Sequence, residues 1–483
     1  MFRRLLLKKD ISLLLSGAFD ESTGLRRALS TFELVSLGVG GIIGAGIFVL
    51  TGHAAAEFAG PAVTLSFLLA LVACGFAGFC YAELASMMPI AGSAYTYAYA
   101  SMGEFVAWII GWDLILEYFL GATTVAIGWS GYVVSFLKDF GIYFPEKLSG
   151  PLISYNTDLH SWHLTGNIFN LPALAILFIV TTILIVGIRV SSRANTAIVV
   201  LKVTILLVFI TTGVFYIKPE LWHPFIPPNT GTFGSFGVSG VFRAAGFIFF
   251  AYIGFDSVST AASEAKNPQK SLPVGILGSL AICTVLYLVV SLIMTGVVHY
   301  SKLGGAAPIA TATDAMGLTF LSPLIKIGAI AGLTSVILVL ALGQTRIFYA
   351  MSKDNLLPPM FSRIHKRYRT PHVSTMVVGA AASLAATLLP IDIVSELVSI
   401  GTLLAFLIVC AGVLILKYTR PDIKRTFMVP WGPVIPIGGI ISCLYLMAGL
   451  PLGTWFRLII WLILGLIVYF AYSIKKSSLN KIA

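Results

Sequence analysis

Twelve apolar runs follow one another along this chain with only short polar connections between them. They lie near residues 34–56, 61–87, 104–133, 170–188, 194–217, 238–263, 273–299, 322–350, 372–389, 393–416, 431–450 and 455–474. About 20 apolar residues span the ~30 Å hydrocarbon layer as a helix, so each run is read as a membrane crossing. A chain that is 58% hydrophobic and 11% charged has too few polar residues to solvate a globule. The pattern therefore predicts an all-α polytopic membrane protein with 12 transmembrane helices.

An even number of crossings puts both termini on one side. Lys and Arg concentrate in the N-terminal segment, the even-numbered connections and the C-terminal tail, including Arg189, Arg193, Lys266, Lys270 and the stretch from Arg363 to Arg369. Positive-inside asymmetry makes both termini cytoplasmic. The net charge of +11 is a topology signal by this reading and implies no nucleic-acid partner. Residues 1–33 form a cytoplasmic segment; Asp10, Asp20 and Glu21 break its first 30 residues, which lack the apolar core and cleavage site of a signal peptide. An amphipathic helix on the lipid surface fits them. Residues 476–483 form a cytoplasmic tail. Cys74, Cys80, Cys283, Cys410 and Cys443 all fall inside apolar runs, so no disulfide-linked subunit is expected.

The first run contains four glycines at its centre, in Val39-Gly40-Gly41-Ile42-Ile43-Gly44-Ala45-Gly46-Ile47-Phe48. Glycines there weaken the helix and let the backbone open. Lipid tolerates no exposed amide or carbonyl, so an opening has to line a cavity or meet a ligand. The opposed half-helix ends suit a molecule with both a carboxylate and an ammonium. The competing reading is close helix packing through small residues. A second interruption, Phe249 to Asp256, falls in the sixth run. Breaks at corresponding positions of two halves point to an inverted-repeat transporter with its site at the midplane. Residues 34–217 then make one five-helix repeat, broken at 40–46, and 238–416 a second, broken at 250–256. Residues 430–475 add helices 11 and 12.

At this point the chain resembles the amino acid–polyamine–organocation superfamily, and within it the cationic amino acid transporter branch. Four motifs carry the resemblance: Gly41 to Phe48; Tyr81-Ala82-Glu83-Leu84 followed by Pro89 and Gly92; Phe250 to Asp256; and Glu264-Ala265-Lys266-Asn267-Pro268-Gln269-Lys270. Arg346, Ala350, Asp354 and Leu357 within Gln344–Pro358 extend it. The resemblance implies a leucine-transporter-like 5+5 inverted repeat that works by alternating access. It also implies an amino acid substrate, membrane lipid as surroundings, the bacterial inner (plasma) membrane as location, and no catalysis. Two spans of the longer animal members are missing here.

Carried onto this chain, the family's site puts the amides of Ala45 and Gly46, in the loop Ile42-Ile43-Gly44-Ala45-Gly46, on the substrate carboxylate. The carbonyls of Ile42, Phe250, Ala251 and Ile253 face the ammonium, and the Phe250 ring serves as a lid. Lys202 lies nine residues beyond Arg193, about 13 Å along a helix, deep for an ionisable group. In proton-coupled relatives a lysine here replaces a sodium ion and bonds the opened first span; snorkelling or a structural ion pair is the alternative. Thr334 and Ser335 keep a sodium site open. Glu117, with Asp113 one turn below it, is placed to titrate, to pair with Arg243 or Lys202, to contact a substrate side chain, or to bond a neighbouring helix. Asp256 is read first as a cap of the half-helix starting at Ser257, and second as a gate. Glu83, Glu264 and Arg346 are candidates for inner-gate salt bridges or solvated helix ends.

Leu340, six residues before Arg346, would shorten the space a long cationic side chain needs, which favours neutral substrates such as alanine over arginine or lysine. The histidines show no metal-ligand spacing and no nucleotide loop is present, so nothing points to catalysis or ATP use. No cofactor or metal is expected, and Lys202 makes a proton the expected coupling ion. Proton symport is the first expectation, obligate exchange the second, and an amino acid sensor the third.

Overall fold

The computed structural model describes residues 7–9, 29–89, 93–156, 161–187, 192–318, 320–423 and 425–481. The surface helix expected within residues 1–30, Gly92, Arg189 and the end of the tail fall outside them almost entirely. What is described is nearly all helix. Among the described residues eight segments are long and apolar enough to cross a membrane, counting Thr31–Met87 as one, and three shorter apolar helices accompany them.

The first helix, α1 (Thr31–Ile42), starts at a capping box: the Ser30 hydroxyl accepts from the Glu33 amide and the Glu33 carboxylate accepts from the Ser30 amide. After a break come the turns Gly46–Leu50, Thr51–Ala54 and Ala55–Ala59, together α2, and then α3 (Val63–Met87). A short helix α4 (Ser93–Ser101) precedes α5 (Glu104–Asp139). The long polar connection carries a hairpin, Ile153–Asn156 paired antiparallel with Ser161–Leu164. Asn170 caps α6 (Leu171–Val186) by accepting from the Ala173 amide, and α7 (Ser192–Gly213) follows. The second interrupted element is α8 (Gly237–Ile248), a turn Phe249–Tyr252, and α9 (Ser257–Thr260). Beyond it run α10 (Pro268–Val297), α11 (Pro308–Ala315), α12 (Leu321–Lys353), α13 (His372–Leu388), α14 (Ile391–Thr419), α15 (Val434–Ala448) and α16 (Leu452–Val468). The apolar runs located these long helices to within a few residues; α4, α11 and the hairpin had no such signal, being too short or too polar.

Helix α5 packs along α12 and α14, while α10 packs along α1 and α3, so the two interrupted elements are enclosed. The outward faces are apolar: Val285, Ile441 and Ile460 are exposed, as lipid contact requires. All five cysteines are buried free thiols. Small residues permit close approach, as at Gly328, where an added Cβ would strike Ile205. The indole N–H of Trp112 donates to the Trp461 carbonyl at 2.8 Å and that of Trp461 to the Trp112 carbonyl at 3.1 Å, which docks α16 on α5.

One buried cation fixes the far ends of α5 and α12. The Lys326 ammonium, 1% exposed, contacts both Asp139 carboxylate oxygens at 2.6 and 2.7 Å, while the Asp139 side chain is 23% exposed. Removing the partner of a buried charge costs about 3–5 kcal/mol. Asp139→Asn, which strands the buried ammonium, is expected to lower the melting temperature in detergent more than Lys326→Met, which strands only a carboxylate that water reaches. The opposite order would show that Lys326 is solvated.

Candidate functional site

Ile43 ends α1 by turning extended (φ −71°, ψ 93°) while its amide still donates to the Val39 carbonyl at 2.9 Å. The carbonyls of the last turn therefore lose their helical partners. Two of them, Gly40 and Ile43, accept the Lys202 ammonium at 2.8 and 2.9 Å. Lys202 is fully buried, and its stem lies on Gly332 of α12, where an added Cβ would come within 3.1 Å of Cγ and Cε. The hydroxyls proposed for a sodium cage are engaged with their own helix: Thr334 donates to the Ile330 carbonyl and Ser335 to that of Gly332. Thr334 also accepts the Trp129 indole N–H at 2.9 Å.

In the second interruption Ile253 is extended (φ −63°, ψ 140°) and Gly254 takes φ +119°, a conformation that side chains disfavour. The Gly254 carbonyl accepts the Ser257 amide at 3.2 Å and the Ser257 hydroxyl. The Phe250 carbonyl accepts the Ile253 amide at 3.1 Å, so one of the four carbonyls assigned to an ammonium already has a donor.

The two interruptions meet backbone to backbone. A Cβ on Gly254 would lie 2.5 Å from the Gly41 carbonyl carbon and 2.7 Å from its oxygen; one on Gly46 would strike Ala251. The glycines thus serve close packing and opening together, since the packed partner is the other break. Facing Gly121 of α5 are Leu340 (3.2 Å from an added Cβ) and Phe250 (3.7 Å), so these two apolar side chains share one wall.

Several sequence-predicted residues are placed differently. Asp256 makes no side-chain cap to α9; its carboxylate accepts the Tyr118 hydroxyl at 2.5 Å. Glu117 pairs with neither Lys202, which is held by backbone, nor Arg243, which faces Glu396 at 3.9 Å. Glu117 and Asp113 are buried on one face of α5, and both Asp113 oxygens and one Glu117 oxygen lack a hydrogen-bond partner among the described residues. Thr402 stands beside Glu117. Glu264 and Arg346 do approach, at 3.8 Å, whereas Glu83 is bound to Arg425 at 3.5 Å and accepts the Val429 amide at 2.7 Å. Next to the Glu264–Arg346 pair, Leu29 donates to the Glu264 carbonyl and accepts from the Lys266 amide, at 2.9 and 3.0 Å.

At the other end a second polar cluster was missed. His53 of α2 faces Asp392 at 3.0 Å, and Glu396 of α14 takes the Thr454 hydroxyl at 2.6 Å with Arg243 and Arg457 at 3.9 Å. Tyr287 was missed too: its hydroxyl lies 2.6 Å from the Ile42 carbonyl and 2.9 Å from that of Ala251. The available signal was a phenol in the middle of an apolar run, which has to find a polar partner there.

Comparison with known proteins places these features in a family context. The amino acid permease family pattern matches residues 29–471. A methylthioribose transporter of Bacillus subtilis is 44% identical over 96% of this chain and 97% of its own. A branched-chain amino acid permease of the same organism is 44% identical over 98% of both. A vacuolar cationic amino acid transporter of Arabidopsis thaliana is 40% identical over 82% of this chain and 61% of its own length.

Backbone strain at the crossing gives a direct test. Gly254→Ala introduces a Cβ at φ +119° against Gly41, which costs of order 1–3 kcal/mol for the backbone conformation alone. The variant is expected to melt several degrees lower and to lose ligand-induced stabilisation, whereas Gly75→Ala, with open space around it, melts like the wild type. Equal melting curves for all three proteins would mean that the crossing relaxes freely.

Proposed function

The chain belongs to the amino acid permease family, whose members are transporters and not enzymes, and on that premise we propose that it is a proton-coupled amino acid symporter. The observation that carries this reading is the Lys202 ammonium on the Gly40 and Ile43 carbonyls. A hydrogen bond from a charged donor contributes about 1.5–3 kcal/mol. Two of them hold the opened end of α1 against α7 while the lysine is protonated. Loss of the proton removes that hold and frees the half-helix to move, which links a proton to a change of conformation.

The fold in this reading is leucine-transporter-like: twelve spans, with five-helix repeats of opposite orientation and two added helices. The interrupted elements carry the substrate at their crossing. Amides at the start of α2 (Ala45 and Gly46) take the carboxylate, and the Ile42, Ala251 and Ile253 carbonyls take the ammonium. Glu264–Arg346 closes the cytoplasmic side, and the cluster of His53, Asp392, Glu396, Arg243 and Arg457 closes the opposite side. The membrane is the bacterial plasma membrane with both termini inside.

The Leu340–Phe250 wall at Gly121 favours a neutral side chain, in keeping with the name of the branched-chain permease among the relatives. Exchange remains the second mode, because the same crossing supports it without Lys202 titrating.

The test is uptake of labelled amino acids into liposomes bearing the purified protein, with and without an inward proton gradient. The gradient is expected to stimulate uptake of alanine and of branched-chain amino acids, and Lys202→Ala is expected to abolish that stimulation. Uptake that requires internal amino acid and ignores pH would identify an exchanger. In the same assay Leu340→Ser is expected to shift preference toward longer and cationic substrates by about tenfold, the ~1.4 kcal/mol scale of one or two buried methylenes. An unchanged profile would place the specificity wall elsewhere.

A further inference from the structure

One side chain outside both interruptions touches each of them. Tyr287 stands in the middle of α10, fully buried, with its ring packed by Phe67 and Tyr252 at centroid distances of 5.4 and 5.5 Å. Its hydroxyl oxygen lies 2.6 Å from the Ile42 carbonyl and 2.9 Å from the Ala251 carbonyl. The first of these is the end of α1 and the second lies in the turn after α8.

The donors and acceptors here do not balance. A phenol has one proton, so Tyr287 can donate to only one of the two carbonyls at a time. The other oxygen is left without that donor, and the phenolic oxygen keeps lone pairs of its own. Lys202 does not fill the gap, because its ammonium is held by the carbonyls of Gly40 and Ile43. Three oxygen acceptors therefore converge on one point with a single proton among them. In a buried place a missing donor is costly. A primary ammonium, with three N–H groups in a tetrahedral array, is the chemical class that supplies it.

We propose that Tyr287 is a binding residue for the substrate's α-ammonium, which rests on the reading of the chain as an amino acid transporter. The hydroxyl donates to one carbonyl and accepts an N–H from the ammonium, which donates to the other carbonyl. The packed ring keeps the phenol in place in the empty and occupied states, so the tyrosine orders the site before substrate arrives. The site thereby selects a free amine over a fully alkylated one of the same charge.

Tyr287→Phe keeps the ring and removes the acceptor. With alanine and leucine as ligands, Kd from ligand-induced thermal stabilisation and KM in liposomes are expected to rise about tenfold. The maximal rate should stay within about twofold and stimulation by the proton gradient should persist, since a change in KM with the rate unchanged separates binding from the step that follows. A Kd within twofold of wild type, or a fall in maximal rate with KM unchanged, would overturn the assignment and leave Tyr287 as a bolt between helices. A second measurement needs no variant: on the unmodified protein, N,N,N-trimethylalanine is expected to bind at least tenfold more weakly than alanine, and equal binding would overturn it as well. A wild type that binds no amino acid overturns both this inference and the transporter reading; a wild type that binds and a variant that binds equally well overturns this one alone.

Discussion

Carbonyl groups stranded by a broken helix have nowhere to go in a membrane interior, and the centre of this protein is built around that constraint. An unpaired backbone polar group away from water costs several kcal/mol. Four such carbonyls face side chains from elsewhere in the chain: Gly40 and Ile43 take the Lys202 ammonium, while Ile42 and Ala251 share the single proton of Tyr287. Each of these side chains needs its own support. Lys202 requires the bare surface of Gly332 for its stem, and Tyr287 requires the aromatic box of Phe67 and Tyr252. The packing of α7, α10 and α12 around the crossing follows from these needs.

The buried carboxylates on α5, and Asp256 facing it, obey a different logic. Asp256 is met by Tyr118, but Asp113 and part of Glu117 have no partner among the described residues. Charges at the two ends of the bundle, by contrast, are paired: Glu264 with Arg346 and Glu83 with Arg425 at one, Glu396 with Arg243 and Arg457 at the other. The polar groups thus fall into end clusters that join helices, and a central set whose partners are mostly main chain.

Much of this was legible in the sequence, for a physical reason. Helices in lipid must be long and apolar, so hydropathy alone located them, and glycines within such runs marked both interruptions. Residue spacing likewise singled out Lys202, far along its helix from Arg193, and it is fully buried. What was not legible depends on rotation about the helix axis and on neighbours far along the chain. Asp256 looked like a cap because it precedes α9, but it makes no cap there and its carboxylate takes the hydroxyl of Tyr118 from α5. Pairing with Arg243 was one of several readings open for Glu117, yet Arg243 is drawn to Glu396 on α14. Tyr287 and His53 drew no notice, because a hydroxyl or an imidazole in an apolar run carries no mark of which carbonyl or carboxylate it will meet.

The short bridge between Leu29 and the chain after α9 has a mechanical consequence. Leu29 leads directly into α1, and its two main-chain bonds join it to the carbonyl of Glu264 and the amide of Lys266. The stem of the first interrupted element and the trailing arm of the second are therefore tied to each other by main chain rather than by side chains, and the carboxylate opposite Arg346 belongs to the same arm. Any displacement of one arm relative to the other has to break both of these main-chain bonds, and no single side-chain substitution removes them.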